Sequence, residues 1–196
     1  MKWFPALRRG DWARAADAPR RHAALPDERY SLPGCSAPGL KVLAARDIRM
    51  GEVVFSDAGI LRRWPDQHTI QIGKQSHFEL HGDSCFASHS FAPSCYCRIL
   101  RFAERPVDLV ALRDLEEGEE ITWNYCTTEW ALVGDGFTDL DTRKAVRGFS
   151  HLSDGEKYEL MATGTLSAHI LSLWVRLLRF EAHNISDLSN EEILAH

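Results

Sequence analysis

Two segments between residues 86 and 125 constrain the fold of this chain more than any others. The first is a polar loop, Phe86-Ala-Ser-His-Ser-Phe-Ala-Pro-Ser-Cys95, in which a proline limits regular structure. The second, residues 110–125, has a short apolar strand, an acidic turn at Gly118 and a second strand that ends at Tyr125. This order predicts a mainly β fold of short strands in small sheets, in the α+β class, with helices at its flanks.

The chemistry of the acidic turn occurs twice. The segment Arg46-Asp-Ile-Arg-Met-Gly-Glu52 precedes an apolar strand at residues 53–55, and Arg113-Asp-Leu-Glu-Glu-Gly-Glu119 has the same order of arginine, aspartate and glycine. Two such turns are too few for a repeat array. Between them, residues 68–73 alternate polar and apolar up to a glycine, which predicts a half-buried strand. Residues 77–81 are the predicted hairpin partner of that strand.

Helix signals are concentrated near the C-terminal end of the sequence. Ser153 and Glu156 have the spacing of a capping box, so a helix is predicted to begin there. Gly164 is predicted to end it, and Thr165 is placed to cap a second helix. An apolar stripe predicts that the second helix packs against the body of the protein or against a second copy. The stripe consists of Leu166, Ile170, Leu171, Trp174, Leu177 and Leu178.

Composition is typical of a soluble globular protein, with 44% hydrophobic and 26% charged residues. A chain of 196 residues is long enough for one substantial core. The net charge of −5 and the lack of a basic stripe argue against nucleic acid or an anionic membrane as partners. No apolar run approaches the ~18 residues of a membrane span. The first 25 residues lack the apolar stretch of a secretory signal, so we expect a cytoplasmic protein.

The two segments of residues 86–125 resemble the SET-domain family of S-adenosylmethionine (SAM)-dependent lysine methyltransferases. In that family an Asn-His-Ser/Cys…Pro-Asn-Cys loop precedes an Ala-x-Arg-Asp-Ile-x-x-Gly-Glu-Glu-Ile-Thr-x-x-Tyr segment, which aligns with residues 111–125 without a gap. The resemblance covers about residues 38–152 and implies a SET-like domain of several small β-sheets, including a degenerate post-SET segment. Residues 1–37 are then an N-terminal extension, and residues 153–196 are C-terminal helices with a polar tail.

The resemblance implies a site for SAM and for an amine substrate. Tyr125 stands at the family's catalytic position, where its hydroxyl orients the amine and the methyl group. Trp123 lies two residues earlier on the same strand face, at a position whose size limits how many methyl groups fit around the nitrogen. A larger core aromatic is the alternative interpretation of Trp123. Cofactor binding is implied for Gly39, Leu40, Lys41, Ser88, His89, Tyr125, Trp130 and Phe137.

Three departures from the family pattern weaken the expected cofactor contacts. The family's Gly-x-Gly is Gly39-Leu-Lys41 here, and its two loop asparagines are Ser88 and Ser94. Serine keeps a hydroxyl but loses the combined donor and acceptor of an amide. SAM is therefore expected to lose one or two hydrogen bonds of about 0.5–1.5 kcal/mol each, which weakens binding about tenfold. Lys41 offers compensation as a point charge toward the SAM carboxylate.

The main functional interpretation is a SAM-dependent methyltransferase that acts on an amine, either a protein lysine or a small metabolite of a biosynthetic pathway. Two alternatives are a catalytically degenerate SET-like protein that serves as a binding or scaffold protein, and an enzyme that uses SAM for a reaction other than methyl transfer. The acidic residues at 116–120 are the solvated charges expected of a turn and not an acid–base pair. A homodimer through the C-terminal helix is a further expectation.

No zinc site is expected, although the family's post-SET segment binds zinc through cysteines. In residues 137–146 those cysteines are absent, Asp139 and Asp141 stand about where the first two would be, and Cys95 is left over. Two carboxylates and one thiolate are a poor ligand set for zinc. Elemental analysis of the purified protein should therefore find no stoichiometric zinc, and one zinc per chain would contradict this prediction.

Overall fold

The computed structural model describes residues 30–31, 41–66, 68–100 and 103–182. Its strands are β1 (Tyr30–Ser31), β2 (Leu43–Ala44), β3 (Val53–Asp57), β4 (Gly59–Arg62), β5 (Thr69–Gly73), β6 (Ser76–Leu80), β7 (Ser88–His89), β8 (Cys95–Ile99), β9 (Val107–Ala111), β10 (Thr122–Trp123), β11 (Phe137–Thr138) and β12 (Ala145–Val146). Its α-helices are α1 (Asp154–Ala162) and α2 (Ala168–Ala182), and short 3-10 helices span Asp83–Phe86, Tyr125–Thr127 and Phe149–His151. None of the helices in these described ranges is long and apolar enough to cross a membrane.

Most of the strands pair antiparallel in small sheets. One three-stranded sheet has the order β3-β9-β8, and another has the order β4-β6-β5. The pairs β1–β2 and β11–β12 are antiparallel, whereas β7 and β10 pair in parallel. The predicted mainly β, α+β fold with a C-terminal helical segment is confirmed. The β5–β6 pair is the hairpin that the sequence predicts.

The two turns of similar sequence lie against each other and exchange hydrogen bonds. The carboxylate of Asp47 accepts from the backbone N–H of Glu117 at 3.1 Å, and the carboxylate of Asp114 accepts from that of Met50 at 2.8 Å. The glycines of the two turns have φ values of 83° and 84°, in the left-handed region that glycine adopts without strain. The repeated motif is therefore a reciprocal contact that fixes the second segment over the first.

Two clusters of buried side chains form the core of the described residues. The first cluster lies among the sheets and includes Phe55 and Leu109, which are partners in the β3–β9 pair. The second cluster consists of Trp130, Phe149, Ile170, Leu173 and Trp174. Its rings are in contact, because Phe149 lies 5.8 Å from Trp130 and 5.4 Å from Trp174 between centroids. This second cluster attaches α2 to the segment that follows Tyr125.

Helix α1 begins as the sequence predicts. The backbone N–H of Glu156 donates to the Ser153 hydroxyl at 3.4 Å, and the Glu156 carboxylate accepts from the backbone N–H of Ser153 at 3.0 Å. Gly164 follows the helix with a φ of 71°, and its N–H donates to the Met161 carbonyl at 3.1 Å. The predicted capping box and glycine stop are both confirmed.

Helix α2 differs from its prediction in its start and in its buried face. It begins at Ala168, three residues beyond the predicted cap at Thr165. Leu173 is fully buried, whereas Leu171 and Leu178 are each 39% exposed. The reason is helical geometry: counting three, four and seven residues on from position 170 reaches positions 173, 174 and 177 but leaves out 171 and 178.

Truncating Ile170 should show how strongly α2 is attached to the body of the protein. Ile170 is fully buried in the second cluster, so Ile170→Ala is expected to lower the free energy of unfolding by about 2–5 kcal/mol. The matched control is Leu171→Ala, one residue along the same helix, for which we expect about 1 kcal/mol or less. Urea denaturation measures both values. Equal losses from the two variants would mean that α2 does not pack on the face described here.

Candidate functional site

The parallel pair β7–β10 brings the two constraining segments of the sequence together. In this pair Thr122 lies beside Ser88, and Trp123 lies beside His89. The strand that was predicted to end at Tyr125 ends at Trp123, and Tyr125 begins a short 3-10 helix because Asn124 caps that helix. The polar loop and the end of the second segment therefore meet, although they are more than 30 residues apart in the sequence.

Ser94 holds the same backbone through a second contact. Its buried hydroxyl accepts from the Thr122 N–H at 2.8 Å and donates to the Glu120 carbonyl at 3.0 Å. Its own N–H donates to the Thr122 hydroxyl at 3.1 Å. The serine that stands where the family has an asparagine is therefore a link between the loop and β10.

Tyr125 is half-buried and is oriented by two hydrogen bonds. Its hydroxyl donates to the Ala87 carbonyl at 2.7 Å, and its backbone N–H donates to Nδ1 of His89 at 3.1 Å. Burial raises the pKa of the Tyr125 phenol well above its ordinary value, so the hydroxyl keeps its proton at neutral pH. Because that proton is directed at a carbonyl, the phenol oxygen can act as an acceptor toward an N–H group.

His89 is neutral and carries its proton on Nε2. Burial lowers the pKa of the imidazole to about 4, and the opposing effect of the Asp139 carboxylate is smaller. Since Nδ1 accepts the Tyr125 N–H, the proton belongs on Nε2. Nε2 is buried and has no hydrogen-bond partner among the described residues. A buried donor without a partner is costly, so an acceptor on a ligand would stabilise this group.

Aromatic rings surround His89. The ring centroids of Phe91, Tyr125 and Phe137 lie 4.6, 5.2 and 5.6 Å from the imidazole, all edge to face. Phe137 also lies 6.1 Å from Tyr125. We call these four residues the aromatic cluster. The aromatic rings thus enclose the unpaired Nε2–H donor of His89, and such rings suit a planar partner.

The hairpin β11–β12 carries Phe137 to this cluster. The Asp139 carboxylate closes the hairpin turn, because it accepts from both the N–H and the hydroxyl of Thr142 at 2.7 Å. A Cβ atom at Gly136 would lie 2.0 Å from the carbonyl oxygen of Val146, so the strands approach at a point where only glycine fits. Within the described ranges no three His, Cys, Asp or Glu side chains are grouped to hold a metal ion.

Tyr125 also lines a small cavity of about 40 Å³, which contains none of the other members of the aromatic cluster. This volume holds one or two water molecules. The Trp123 ring forms part of the wall and lies 4.6 Å from the Tyr125 ring. We call this space the inner cavity; it is lined by Pro65, Asp66, His68, Thr69, Ile70, Leu80, Ser84, Cys85, Ala87, Trp123, Tyr125, Glu129, Ala131, Leu132 and Val133.

A larger cleft of about 530 Å³ lies between the β5–β6 hairpin, β8 and the start of α2, and its lining includes neither Tyr125 nor His89.

A buried carboxylate, Glu129, lines the inner cavity and is only 6% exposed. Its Oε1 atom accepts from the Gln71 N–H at 2.9 Å and from the Thr128 hydroxyl at 3.0 Å. Burial raises the pKa of Glu129 to about 7, and these two hydrogen bonds oppose the increase. The group therefore exchanges protons close to neutral pH.

The structure brings some of the predicted site residues together and separates others. Those that lie together are Ser88, His89, Trp123, Tyr125 and Phe137. Trp130 is fully buried in the second core cluster, so its side chain has no surface to offer a ligand. Lys41 forms an ion pair of 2.6 Å with Glu120. Gly39 and Leu40 lie outside the described residues.

Sequence reasoning missed two members of the site. Phe91 stands two positions after His89, and an aromatic residue in an otherwise polar loop is a signal that was available. Glu129 gave no comparable signal, because a single carboxylate is exposed in most proteins. Its burial results from a hairpin that lies far from it in the sequence.

Residues 39–126 match the family model of the SET domain. This match agrees with the resemblance that the motifs predict, and members of the SET-domain family are generally methyltransferases that use SAM. None of the curated proteins compared with the chain gives a match. A crystal structure of a Plasmodium falciparum protein, described as a candidate histone methyltransferase, is similar at 17% identity and a TM-score of 0.44, over 50% of this chain and 93% of that one. A score of this size carries no conclusion.

Acid should destabilise the protein through His89. Histidines of an unfolded chain take up protons below a pKa of about 6.5, whereas the pKa of folded His89 is about 4. At this residue the unfolded state thus binds more protons between these values, so the contribution of His89 to the free energy of unfolding falls by about 3 kcal/mol as the pH drops from 6.5 to 4. In urea titrations at pH 7, 5.5 and 4, His89→Gln should remove this part of the decrease. The exposed control His81→Gln should keep the wild-type pH dependence, and a His89 variant that also keeps it would contradict the prediction.

Proposed function

We propose that this chain is a SET-type methyltransferase that transfers the methyl group of SAM to an amine nitrogen held beside Tyr125. The observation that carries the proposal is that Tyr125 belongs both to the aromatic cluster and to the inner cavity. Such a reaction needs one compartment for the methyl donor and one for the acceptor, and the two must meet at the reacting atoms. The match of residues 39–126 to the SET domain supports the assignment.

The aromatic cluster is the proposed compartment for SAM. When bound, SAM supplies a methyl group on a positively charged sulfur. The Nε2–H group of His89 would donate to an acceptor on the adenosine part, and the rings of Phe91 and Phe137 would pack against the base. Ser88 lies on the same strand as His89 and would offer its hydroxyl to the amino acid end. Lys41 would have to leave Glu120 to reach the SAM carboxylate.

The inner cavity is the proposed compartment for the amine. Only an unprotonated amine can accept a methyl group, and at neutral pH this form costs ~4 kcal/mol for an amine of pKa about 10.4. Desolvation in the cavity lowers the pKa of the amine and so reduces that cost. The Tyr125 oxygen, whose proton is directed at Ala87, would accept an N–H of the amine and hold its lone pair toward the methyl group.

Trp123 limits the space around the proposed nitrogen position. Its ring is buried, packs on the Tyr125 ring and forms a wall of the inner cavity. A second methyl group would need additional volume beside both rings. We therefore propose that the product carries one added methyl group.

A catalytically degenerate binding protein is the second candidate function. The replacement of the family asparagine by Ser88 and the size of the Trp123 ring favour it, since both reduce the contacts or space of a methyltransferase site. The two candidates differ in turnover, and mass analysis of the SAM-derived products also detects any use of SAM other than methyl transfer.

The proposed partners follow from the net charge of the chain and from the apolar side chains that α2 exposes. The acceptor is a protein lysine or a small amine, and the net charge of −5 argues against nucleic acid or an anionic membrane surface. A homodimer through α2 stays part of the proposal. The apolar side chains that α2 exposes for such a contact are Leu171, Val175 and Leu178.

Replacing Tyr125 by phenylalanine should distinguish the methyltransferase from the catalytically degenerate binding protein. Tyr125→Phe removes the hydroxyl that would orient the amine and leaves the ring contacts in place. We expect kcat to fall by about 10²-fold or more, with SAM affinity changed less than about threefold. Turnover is followed by mass spectrometry of the methylated amine, and SAM affinity is measured by calorimetry.

The matched control is Tyr158→Phe, which removes a hydroxyl from an exposed tyrosine on α1 and should leave kcat unchanged. Melting temperatures of both variants show whether folding is preserved, since losing the Ala87 hydrogen bond costs about 1–3 kcal/mol at most. An active wild-type protein with unchanged turnover in Tyr125→Phe would refute the role of Tyr125. The absence of SAM binding at millimolar concentration would leave only the binding-protein candidate.

A further inference from the structure

The carboxylate of Glu129 is buried and has no cation to neutralise it. Both of its described hydrogen bonds go to Oε1, and no described residue donates to Oε2 or forms an ion pair with the group. A buried carboxylate is normally paired, because removing an isolated charge from water costs several kcal/mol. The unpaired oxygen belongs to a side chain that lines the inner cavity. A ligand with a positive charge would complete this arrangement.

The position of Glu129 is fixed by the hairpin β5–β6 and by the segment after Tyr125. Its backbone N–H donates to the Tyr125 carbonyl at 2.9 Å, which places it one turn beyond the tyrosine. Gln71 holds the region from the opposite strand, since its side-chain oxygen accepts from the Trp130 N–H at 2.8 Å and its amide donates to the Gly73 carbonyl at 2.9 Å. The carboxylate therefore cannot move out to solvent without breaking several buried hydrogen bonds.

The remaining described lining of the inner cavity is mostly uncharged. Its described lining contains no lysine or arginine, and its apolar walls include Ile70 and Leu80. Burial raises the pKa of Cys85 and Tyr125 above their ordinary values, so both stay neutral, and Asp66 and His68 are the other ionisable groups of the lining. Outside the cavity, the charge of Glu129 also acts on the thiols of Cys97 and Cys126, which burial keeps protonated.

We propose that Glu129 binds the ammonium group of the substrate in the inner cavity and accepts one of its protons before methyl transfer. The substrate class is then a primary amine at the end of an unbranched alkyl chain, because a cavity of about 40 Å³ has room only for the amine end, and Ile70 and Leu80 are apolar parts of its wall. This inference rests on the proposed function, which it deepens by assigning the group that handles the charge of the acceptor.

The ammonium R–NH3⁺ gives one proton to the Glu129 carboxylate, which leaves R–NH2 beside a neutral carboxylic acid. Without SAM the charged ammonium–carboxylate pair persists, whereas the positive charge of bound SAM beside the nitrogen disfavours the ammonium, so that the neutral pair is favoured only with SAM present. The nitrogen lone pair then forms the new N–C bond while the C–S bond of the sulfonium breaks and its electrons stay on sulfur. The products are R–NH2CH3⁺ and a neutral thioether, and Glu129 returns its proton to solvent. A base with a pKa close to the working pH is suited to this task.

The variant Glu129→Gln tests the proposal because it removes the charge and keeps the shape and the Oε1 acceptor. The matched control is Asp57→Asn. Burial also raises the pKa of Asp57 to about 7, but its carboxylate is bonded by the Ser84 hydroxyl and does not line the inner cavity. Any effect of merely removing a buried charge should therefore appear in both variants, whereas an effect on the amine should appear only in Glu129→Gln.

The first measurement is binding without SAM, with n-butylammonium as the probe. In protein labelled with ¹³C at glutamate carboxyl groups, the Glu129 signal should titrate close to pH 7, and n-butylammonium should lower that midpoint by at least one pH unit. Calorimetry at pH 8 should show that Glu129→Gln binds n-butylammonium at least tenfold more weakly, and that Asp57→Asn binds it like the wild type. The neutral probe n-butanol should bind equally to all three proteins.

The second measurement is kcat/KM for n-butylamine from pH 6 to pH 9. In the wild type it should rise to about pH 7 and then level, because the free enzyme uses the abundant ammonium form once Glu129 is ionised. Glu129→Gln must capture the rare free base, so its kcat/KM should be at least about 100-fold lower at pH 7 and keep rising about tenfold per pH unit to pH 9. A protein in which Glu129 were only structural would lose stability without this change in pH profile.

Together, the two measurements distinguish a failure of the proposed function from a failure of the proposal for Glu129. If n-butylammonium shifts the Glu129 midpoint but no SAM binds, the proposed function is wrong while the ammonium site stands. If SAM is turned over but Glu129→Gln keeps both the wild-type affinity for n-butylammonium and the wild-type pH profile, the proposal for Glu129 is overturned and the methyltransferase function stands. The titration of wild-type protein does not depend on the stability of any variant.

Discussion

The backbone of residues 120–125 is held by three separate contacts, and the site depends on them. The Ile121 N–H donates to the Val42 carbonyl at 2.8 Å, the Ser94 hydroxyl bonds to the backbone on both sides of Ile121, and β10 pairs in parallel with β7. Successive residues of a strand face opposite sides, so a shift of one residue would exchange the faces of Trp123 and its neighbours. The reciprocal bonds between the two acidic turns fix the register further back along the same segment. Backbone pairing thus fixes the position of Tyr125, and the hydrogen bond of its hydroxyl to Ala87 adds to this.

The electrostatic character of the site follows from burial. Burial lowers the pKa of His89 to about 4 and raises that of Glu129 to about 7, so the first is neutral and the second is poised between its two forms at neutral pH. Beside the aromatic cluster, the Nζ atom of Lys144 lies 5.5 Å from the Phe91 ring centroid and also pairs with Glu156. Aromatic faces and a buried carboxylate favour positive ligands. Both proposed substrates, a sulfonium and an ammonium, are positive.

Much of the fold was predictable from the sequence because its signals are local. The capping box at Ser153, the alternation in β5 and the glycine turns each depend on a few neighbouring residues, and each is found in the structure. The predicted site includes His89 and Tyr125, which two motifs carry and which are in contact in the structure, and their roles stay predictions. It lacked support at Trp130, whose neighbours in space are on α2, and it missed Glu129, whose burial depends on Gln71 in a distant hairpin. Pairings of this kind depend on packing between distant segments, which no local pattern encodes.

The raised pKa of Glu129 also makes the folded protein less stable at neutral pH, and this cost argues for a functional role of the carboxylate. Because the pKa of the folded carboxyl is about 7 and that of an unfolded glutamate is about 4.3, the folded state binds more protons between these values. The free energy of unfolding therefore decreases as the pH rises from about 4.3 to 7 and is not regained above pH 7, a cost on the order of a few kcal/mol. A glutamine with the same hydrogen bonds would avoid this cost, so structure alone gives no reason for the charge. An ammonium bound at Oε2 would recover part of it, since a ligand that binds only the folded state stabilises that state. The unfavourable burial of Glu129 is therefore understandable if its carboxylate binds a cation next to the Tyr125 hydroxyl, which both proposed compartments share.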